Sequence, residues 1–125
     1  MSNKVQLLIV AASAFVLANC GVSAADRAAA ITGGDPQRGA ANIGKYGCGS
    51  CHTIAGINGA YGLVGPPLTG IGSRMYVAGV LPNTPENISH WIEDPKSVDQ
   101  KTAMPKLGVS TQEATDIAAY LYSIR

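Results

Sequence analysis

Two cysteines and a histidine carry the clearest chemical signal in this chain of 125 residues. Cys48 and Cys51 are three positions apart, and His52 follows at once. In one helical turn, residues three apart lie on the same face, so both thiols can form thioether bonds to the two vinyl groups along one porphyrin edge. His52 then lies beneath the iron as an axial ligand. This spacing is typical of a c-type haem attachment site, and we expect one haem c bound covalently through both cysteines.

A thioredoxin-type redox pair and a zinc knuckle are the alternative interpretations of the two cysteines. A redox pair is expected between a strand and a helix, and the surrounding sequence does not have that pattern. Zinc requires a second pair of ligands, and the only other cysteine and histidine are Cys20 and His90. Both alternatives therefore explain the motif less well than haem attachment does.

The N-terminal residues predict export from the cytoplasm. Lys4 precedes an almost unbroken apolar run from Val5 to Ala18, and small residues follow up to Ala24. This order is typical of a secretory signal peptide, and the run is shorter than the about 20 residues of a membrane span. We expect residues 1–24 to be a cleaved signal, with an uncleaved anchor as the alternative. Export fits the motif, because bacteria attach c-type haem outside the inner membrane.

Cys20 offers a second processing site in the same segment. The sequence from Leu17 to Cys20 resembles a lipoprotein cleavage box, although Asn19 replaces the usual small residue before the cysteine. Lipidation would tether the protein to the membrane, whereas cleavage after Ala24 would remove the cysteine. The remainder divides into a flexible lead over 25–34 and one small domain over 35–125.

Charge excludes one class of partner. The chain has 9 basic and 8 acidic side chains, and removal of Lys4 with the signal leaves equal numbers. No cluster of like charge is present, so nucleic-acid binding has no support and strong electrostatic steering of a partner is not expected.

Local signals mark the starts of three helices. Asp35-Pro36 and Thr84-Pro85 each place a capping side chain before a proline at the first helical position. Ser110 with Glu113 forms a capping box. We predict an all-α fold with helices over Pro36–Tyr46, Thr69–Ala78, Pro85–Glu93 and from Ser110 to the C-terminus, and an irregular loop over 95–108.

A haem that transfers electrons usually has both axial positions filled by the protein. Met104 lies in a loop that can bend over the second face of the haem, and it is our preferred ligand. Met75 occupies a position suited to a helix interior, where methionine usually fills core space. His90 lies on a predicted helix, where a lone histidine is more often solvated. An open site or an external ligand remains a further alternative.

These motifs together resemble the class I (His/Met-ligated) c-type cytochromes over about residues 35 to 125. Gly65-Pro66-Pro67-Leu68-Thr69-Gly70 is similar to a family segment whose proline carbonyl accepts a hydrogen bond from the ligand histidine. The stretch from Trp91 to Lys96, and the nine-residue step from Pro95 to Met104, are similar to the segment before the family's methionine. From Asn83 onward the sequence resembles cytochrome c domains fused to subunit II of haem-copper oxidases.

The resemblance implies a small class I cytochrome c fold of three to five helices around one covalent haem. It implies that Pro66 orients His52, that Leu68 packs on the haem, and that Trp91 lies near the methionine side, with simple core packing as its alternative. Thr102 is implied to hydrogen-bond a propionate. The first and last helices are implied to cross, with Gly39 and Ile43 meeting Ile117, Tyr120 and Leu121.

Two departures from the family pattern affect these expectations. Ile43 replaces the usual aromatic at the helix crossing, one residue further from the cysteines than in the family. Gln100-Lys101 replaces a Pro-Gly pair in the methionine loop. The second departure predicts a more mobile loop and a less firmly bound Met104.

The expected function is that of a periplasmic one-electron carrier with His/Met axial ligation, and not that of an enzyme. The expected electron donors are a quinol-oxidising complex or a periplasmic dehydrogenase, and the expected acceptors are a terminal oxidase or reductase. Contact is expected near 47–52, at the exposed haem edge. One alternative is a cytochrome subunit docked permanently to a dehydrogenase. Another is a haem peroxidase or ligand sensor in which Met104 leaves the iron.

Overall fold

The structure, a computed structural model, describes residues 21–124, so the expected signal up to Cys20 lies outside it, as does Arg125. Five α-helices dominate this part of the chain, which confirms the all-α class. None of these helices is long and apolar enough to cross a membrane. The helices are α1 (Ala24–Thr32), α2 (Pro36–Lys45), α3 (Pro85–Glu93), α4 (Pro95–Val98) and α5 (Thr111–Ser123); two 3₁₀ turns cover Cys48–Ser50 and Ile71–Ser73, and strands β1 (Tyr76–Val77) and β2 (Leu81–Pro82) form a hairpin.

The capping signals begin α2, α3 and α5 as predicted. The Asp35 side chain accepts hydrogen bonds from the backbone N–H groups of Gln37 and Arg38, and Thr84 caps α3 in the same manner. Ser110 and Glu113 form a reciprocal capping box on α5. These contacts satisfy N–H groups that a helix leaves without partners in its first turn.

The segment predicted to be a flexible lead is instead helix α1. Ser23 and Asp26 form a capping box at its start, and Gly33 ends it with a left-handed backbone (φ 75°). Ala28 is buried where α1 packs against α5. The capping residues are visible in the sequence, but Ser23 falls within the expected signal peptide.

The helix predicted over Thr69–Ala78 is also wrong. A 3₁₀ turn is followed by the hairpin, whose turn contains two successive residues with positive φ, Ala78 (53°) and Gly79 (73°). Such a turn matches the twist of the flanking strands. Met75, expected in a helix interior, is 81% exposed. The loop predicted over 95–108 begins with the short helix α4.

Helix α5 lies at the centre of the fold, packed by α1, α2 and α3. It crosses α2 at Gly39, where an added Cβ would lie 2.0 Å from the backbone oxygen of Asp116. Because this approach leaves no space for a side chain, the two helices pack unusually close together. Ile43 of α2 and Ile117 and Leu121 of α5 are buried in the adjoining core, as the resemblance implied.

A buried carboxylate ties the same crossing together. The Asp116 side chain is 2% exposed, and it accepts hydrogen bonds from the Asp35 backbone N–H (2.8 Å) and the Gln112 amide (3.1 Å). The Arg38 guanidinium donates to both of its oxygens, at 2.8 and 2.9 Å. Hydrogen bonds from Arg38 and the other donors hold the pKa of Asp116 below its usual value despite burial. The carboxylate therefore fixes the start of α2 on α5.

Candidate haem site

One cavity of about 470 Å³ lies between the cysteine motif and the loop that carries Met104. Its volume is within the range of about 300–1,000 Å³ that suits small molecules and cofactors. Every residue predicted from the sequence to bind the cofactor lines this cavity: Cys48, Cys51, His52, Pro66, Leu68, Trp91, Thr102 and Met104. The structure brings them together, while their roles as ligands stay predictions.

The 3₁₀ turn Cys48–Ser50 begins with the first cysteine, and the second, Cys51, directly follows it as its C-cap. Gly47 precedes the turn with a left-handed backbone (φ 67°), and the N–H groups of Cys51 and His52 both donate to the Cys48 carbonyl. Side chains three residues apart eclipse one another in this geometry. Both thiols are free and partly buried, and burial raises the pKa of Cys48. The turn therefore brings together two free thiols, the groups that thioether attachment uses.

His52 is held by its ring nitrogen Nδ1, which lies 2.7 Å from the Pro66 carbonyl oxygen. A carbonyl oxygen can only accept, so Nδ1 carries a proton, and in the neutral ring Nε2 keeps a free lone pair. This arrangement fixes the ring orientation and makes Nε2 available to a metal. The contact is the one that the family resemblance implied for Pro66.

The backbone of Gly65 lies close against the His52 ring, a role that sequence reasoning missed. A Cβ at this position would lie 2.3 Å from Cε1 and 2.6 Å from Nδ1 of the ring. The glycine lies directly before Pro66, so its backbone can approach the ring only without a side chain. Its place in the proline segment was the available signal.

We expect Gly65→Ala to displace the His52 ring and to weaken its bond to Pro66, at a cost of about 1–3 kcal/mol from overpacking. NMR of ¹⁵N-labelled histidine in the haem-loaded protein measures the shift and exchange of the Nδ1 proton. Gly44→Ala is the control, because nothing lies within 4 Å of a Cβ at Gly44. An unchanged ring signal in Gly65→Ala would contradict the proposed support.

Met104 and Trp91 also line the cavity, on segments that follow His52 by many residues. Met104 is partly buried, and its backbone N–H donates to the Thr102 hydroxyl oxygen at 3.1 Å. Thr102 thus shapes the chain beside Met104, and its own hydroxyl proton remains available to another acceptor. Trp91 packs against the hydrophobic core as well as the cavity, and its place on the methionine side of the haem stays a prediction.

The two alternative ligands are placed elsewhere. Met75 and His90 do not line the cavity. His90 is exposed, with Nε2 at 3.1 Å from the Ser97 hydroxyl. Within residues 21–124 no group of three or more His, Cys, Asp or Glu side chains could hold a metal ion, so the zinc interpretation gains no second ligand pair there.

An ion cluster joins the cysteine motif to α5, and the sequence did not indicate it. Glu113 accepts hydrogen bonds from the Lys45 ammonium and, at 2.7 Å, from the Tyr46 hydroxyl. Lys45, Ser110 and Tyr46 together hold the pKa of Glu113 well below its usual range. Tyr46 also lines the cavity, so this cluster braces the wall next to Cys48.

The lining of the cavity fits a covalently bound haem in its chemistry. Its wall is mostly hydrocarbon, with Ile43, Ile54 and Leu121 among the contributing residues. The charged side chains that line it are Arg74 and Asp99. Arg74, which was not predicted from the sequence, donates to the Pro67 carbonyl and offers a cation for an acidic group. The thiols of Cys48 and Cys51 could attach the ring of a haem, and the imidazole of His52 could bind its iron.

Comparisons with known proteins identify the family of this chain. The family model described as "Cytochrome c" matches residues 36–125. Cytochrome c oxidase subunit 2 of Alkalihalophilus pseudofirmus is 34% identical over 97 residues, which cover 73% of this chain and 28% of that protein. The chain thus spans less than a third of the length of this relative. No solved structure matches the chain.

The matched region begins at the first residue of α2 and includes the cysteine turn, the cavity and α5. It therefore contains every element that forms the candidate site. This chain belongs to the cytochrome c family, and so it is an electron-transfer protein that carries covalently bound haem c.

Proposed function

We propose that this protein is a one-electron carrier of a respiratory chain, in which His52 and Met104 hold the haem iron from opposite sides. The observation that carries the proposal is the shared cavity: an imidazole with a free Nε2 and a methionine thioether both line it. Bound haem supplies an iron whose charge changes by one unit in electron transfer. With His52 and Met104 as its axial ligands, the iron would have a nitrogen and a thioether donor, a pair that favours a high reduction potential.

The same residues limit what else the site can do. The apolar wall would disfavour the extra charge of the oxidised iron. With Met104 bound to the iron, no coordination site would remain for a peroxide or another exchangeable ligand. Electron transfer without chemistry on a substrate follows from this arrangement, which disfavours the peroxidase and sensor alternatives.

Exposed apolar side chains surround the mouth of the cavity and favour contact with an uncharged partner surface. Val64 is 77% exposed, Tyr76 58% and Leu107 40%, and all three line the cavity. The equal numbers of acidic and basic residues after Lys4 argue in the same direction. We infer a small, transient interface near this rim, with a terminal oxidase as acceptor because a relative is an oxidase subunit. A quinol-oxidising complex or a dehydrogenase is the corresponding donor.

The periplasm is the proposed location. Its support is the N-terminal export pattern between Lys4 and Ala24, together with the need to attach haem c outside the cytoplasm. A tether through Cys20 or an uncleaved signal is the alternative to a freely diffusing carrier. Both alternatives place the haem domain on the same side of the membrane.

The test is to compare Met104→Ala with Met75→Ala after maturation in an export-competent host. We expect wild type and Met75→Ala, whose substituted side chain is exposed, to be low-spin in both oxidation states. They should show the sulfur-to-iron band at the red edge of the spectrum and appear in the periplasmic fraction. Met104→Ala should lose the band and bind CO rapidly when reduced. A high-spin or CO-reactive wild type would instead favour the sensor or peroxidase interpretation.

A further inference from the structure

The loop that carries Met104 has little backbone structure of its own. We define the methionine loop as residues 99–106. The Thr102 N–H donates to the Asp99 carbonyl at 3.1 Å. Residues 103–109 make no hydrogen bond between backbone groups with any other described residue. Pro105 restricts the loop directly after Met104, but residues 96–104 contain no proline. Side chains must therefore hold Met104 in place.

Lys96 restrains the loop before Met104. Its ammonium donates to the backbone carbonyls of Gln100, at 3.3 Å, and of Thr102, through a shorter bond. Lys96 lies on helix α4, which begins at the buried Pro95. The Thr102 hydroxyl in turn accepts the Met104 N–H. An unbroken series of contacts thus connects a helix in the body of the protein to the backbone of Met104.

Lys106 restrains the loop after Met104. Its ammonium forms an ion pair with Asp94 at 2.6 Å, and Asp94 ends helix α3. Hydrogen bonding from Lys106 lowers the pKa of this carboxyl. Asp94 and Lys96 are the two neighbours of Pro95, so both restraints are anchored at one point in the chain.

We propose that Lys96 and Lys106 are positioning residues that hold the methionine loop against the cavity, and we name the pair the lysine brace. Gln100-Lys101 stands where the resembled family has a Pro-Gly pair, and the two lysine contacts restrain the loop in place of that pair. It rests on the proposed function, because its purpose is to keep Met104 on the iron. The expected mobility of this loop is thereby opposed by two contacts from outside the segment.

The experiment compares Lys96→Met and Lys106→Met with Lys101→Met in the haem-loaded protein. Lys101 is in the same loop, and its side chain makes no hydrogen bond within the described residues, so the control matches the change in charge and shape. Amide hydrogen exchange by NMR is measured at Thr102 and Met104. CO association with the reduced protein reports departure of Met104.

We expect exchange at these amides to be about tenfold faster in Lys96→Met, the factor for losing one hydrogen bond to a charged donor. Exchange in Lys106→Met should rise by a smaller factor, since an exposed ion pair contributes less. CO association should accelerate in both variants, and Lys96→Arg should restore it because a guanidinium can also bridge two carbonyls. Lys101→Met should match wild type.

Exchange at wild-type rates in both Lys96→Met and Lys106→Met would overturn the lysine brace. Equal acceleration in Lys101→Met would also overturn it, since loss of charge alone would then explain the effect. A wild-type spectrum without the sulfur-to-iron band would instead refute ligation by Met104. Exchange still tests the brace in that case, because it reports the loop and not the iron.

Discussion

Gly39→Ala is expected to lower the free energy of unfolding by about 3 kcal/mol or more. The new Cβ would lie 2.0 Å from the Asp116 backbone oxygen and 2.9 Å from the Tyr120 Cβ. Neither neighbour is the end of a flexible side chain, so α2 and α5 must move apart. Because Ile43 and Ile117 line the cavity from these two helices, the separation should also disturb the haem spectrum.

Denaturant unfolding of the oxidised, haem-loaded protein measures this cost. Gly44→Ala is the matched control on the same helix, since Gly44 is exposed and a Cβ added there would have no neighbour within 4 Å. That variant should gain up to about 1 kcal/mol, because alanine favours a helix over glycine. If Gly39→Ala lowers the free energy of unfolding and Gly44→Ala raises it, the loss is due to the helix crossing and not to alanine itself. A Gly39→Ala protein as stable as wild type would show that the crossing is looser than the structure indicates.

Asp116→Asn is expected to cost about 3 kcal/mol near neutral pH. The amide can no longer accept the pair of Arg38 hydrogen bonds together with the bond from the Asp35 N–H. The NH₂ group of asparagine is itself a donor, and in this buried position it would face an N–H group of Arg38 or Asp35. The exposed carboxylate of Glu86, in the first turn of α3, gives the control: Glu86→Gln should cost about 1 kcal/mol or less.

The free-energy cost of Asp116→Asn should become smaller at acid pH. The folded state lowers the pKa of Asp116 below 3.8, so its charged form stabilises the protein above that pH. This contribution is lost as pH falls through the lower folded value. The difference in unfolding free energy between wild type and Asp116→Asn should therefore be constant from about pH 5 to 7 and shrink below about pH 4. A difference that stays constant in acid would mean that the charge of Asp116 contributes little.

Helix starts could be read from the sequence because capping is local. Asp35 and Thr84 bond to N–H groups two or three residues ahead, so residue type and spacing suffice to predict them. The hairpin could not be predicted in this way. Ala78 adopts a positive φ that alanine rarely takes, and the surrounding structure must impose that conformation. Helix α1 escaped prediction for a different reason, since its capping residue also fits a signal-peptide cleavage site.

The haem motif needed no structure to be recognised. Cys48, Cys51 and His52 are neighbours whose chemistry depends on one turn of the chain, and the haem-binding family follows from them. Two contacts hold the His52 ring. Its bond to Pro66 was implied by the family resemblance, whereas the close approach of Gly65 is visible only in the tertiary structure.

By itself, the sequence determined the haem attachment, the three capped helices and the family, because each depends on residues close together in the chain. Only the tertiary structure decided how Asp116 holds Arg38, how Glu113 holds Tyr46 and how the lysine brace restrains Met104. The first two join residues 78 and 67 positions apart. Periodicity and capping report on one or two turns of chain, so they carry no information about which distant side chains meet once the helices pack.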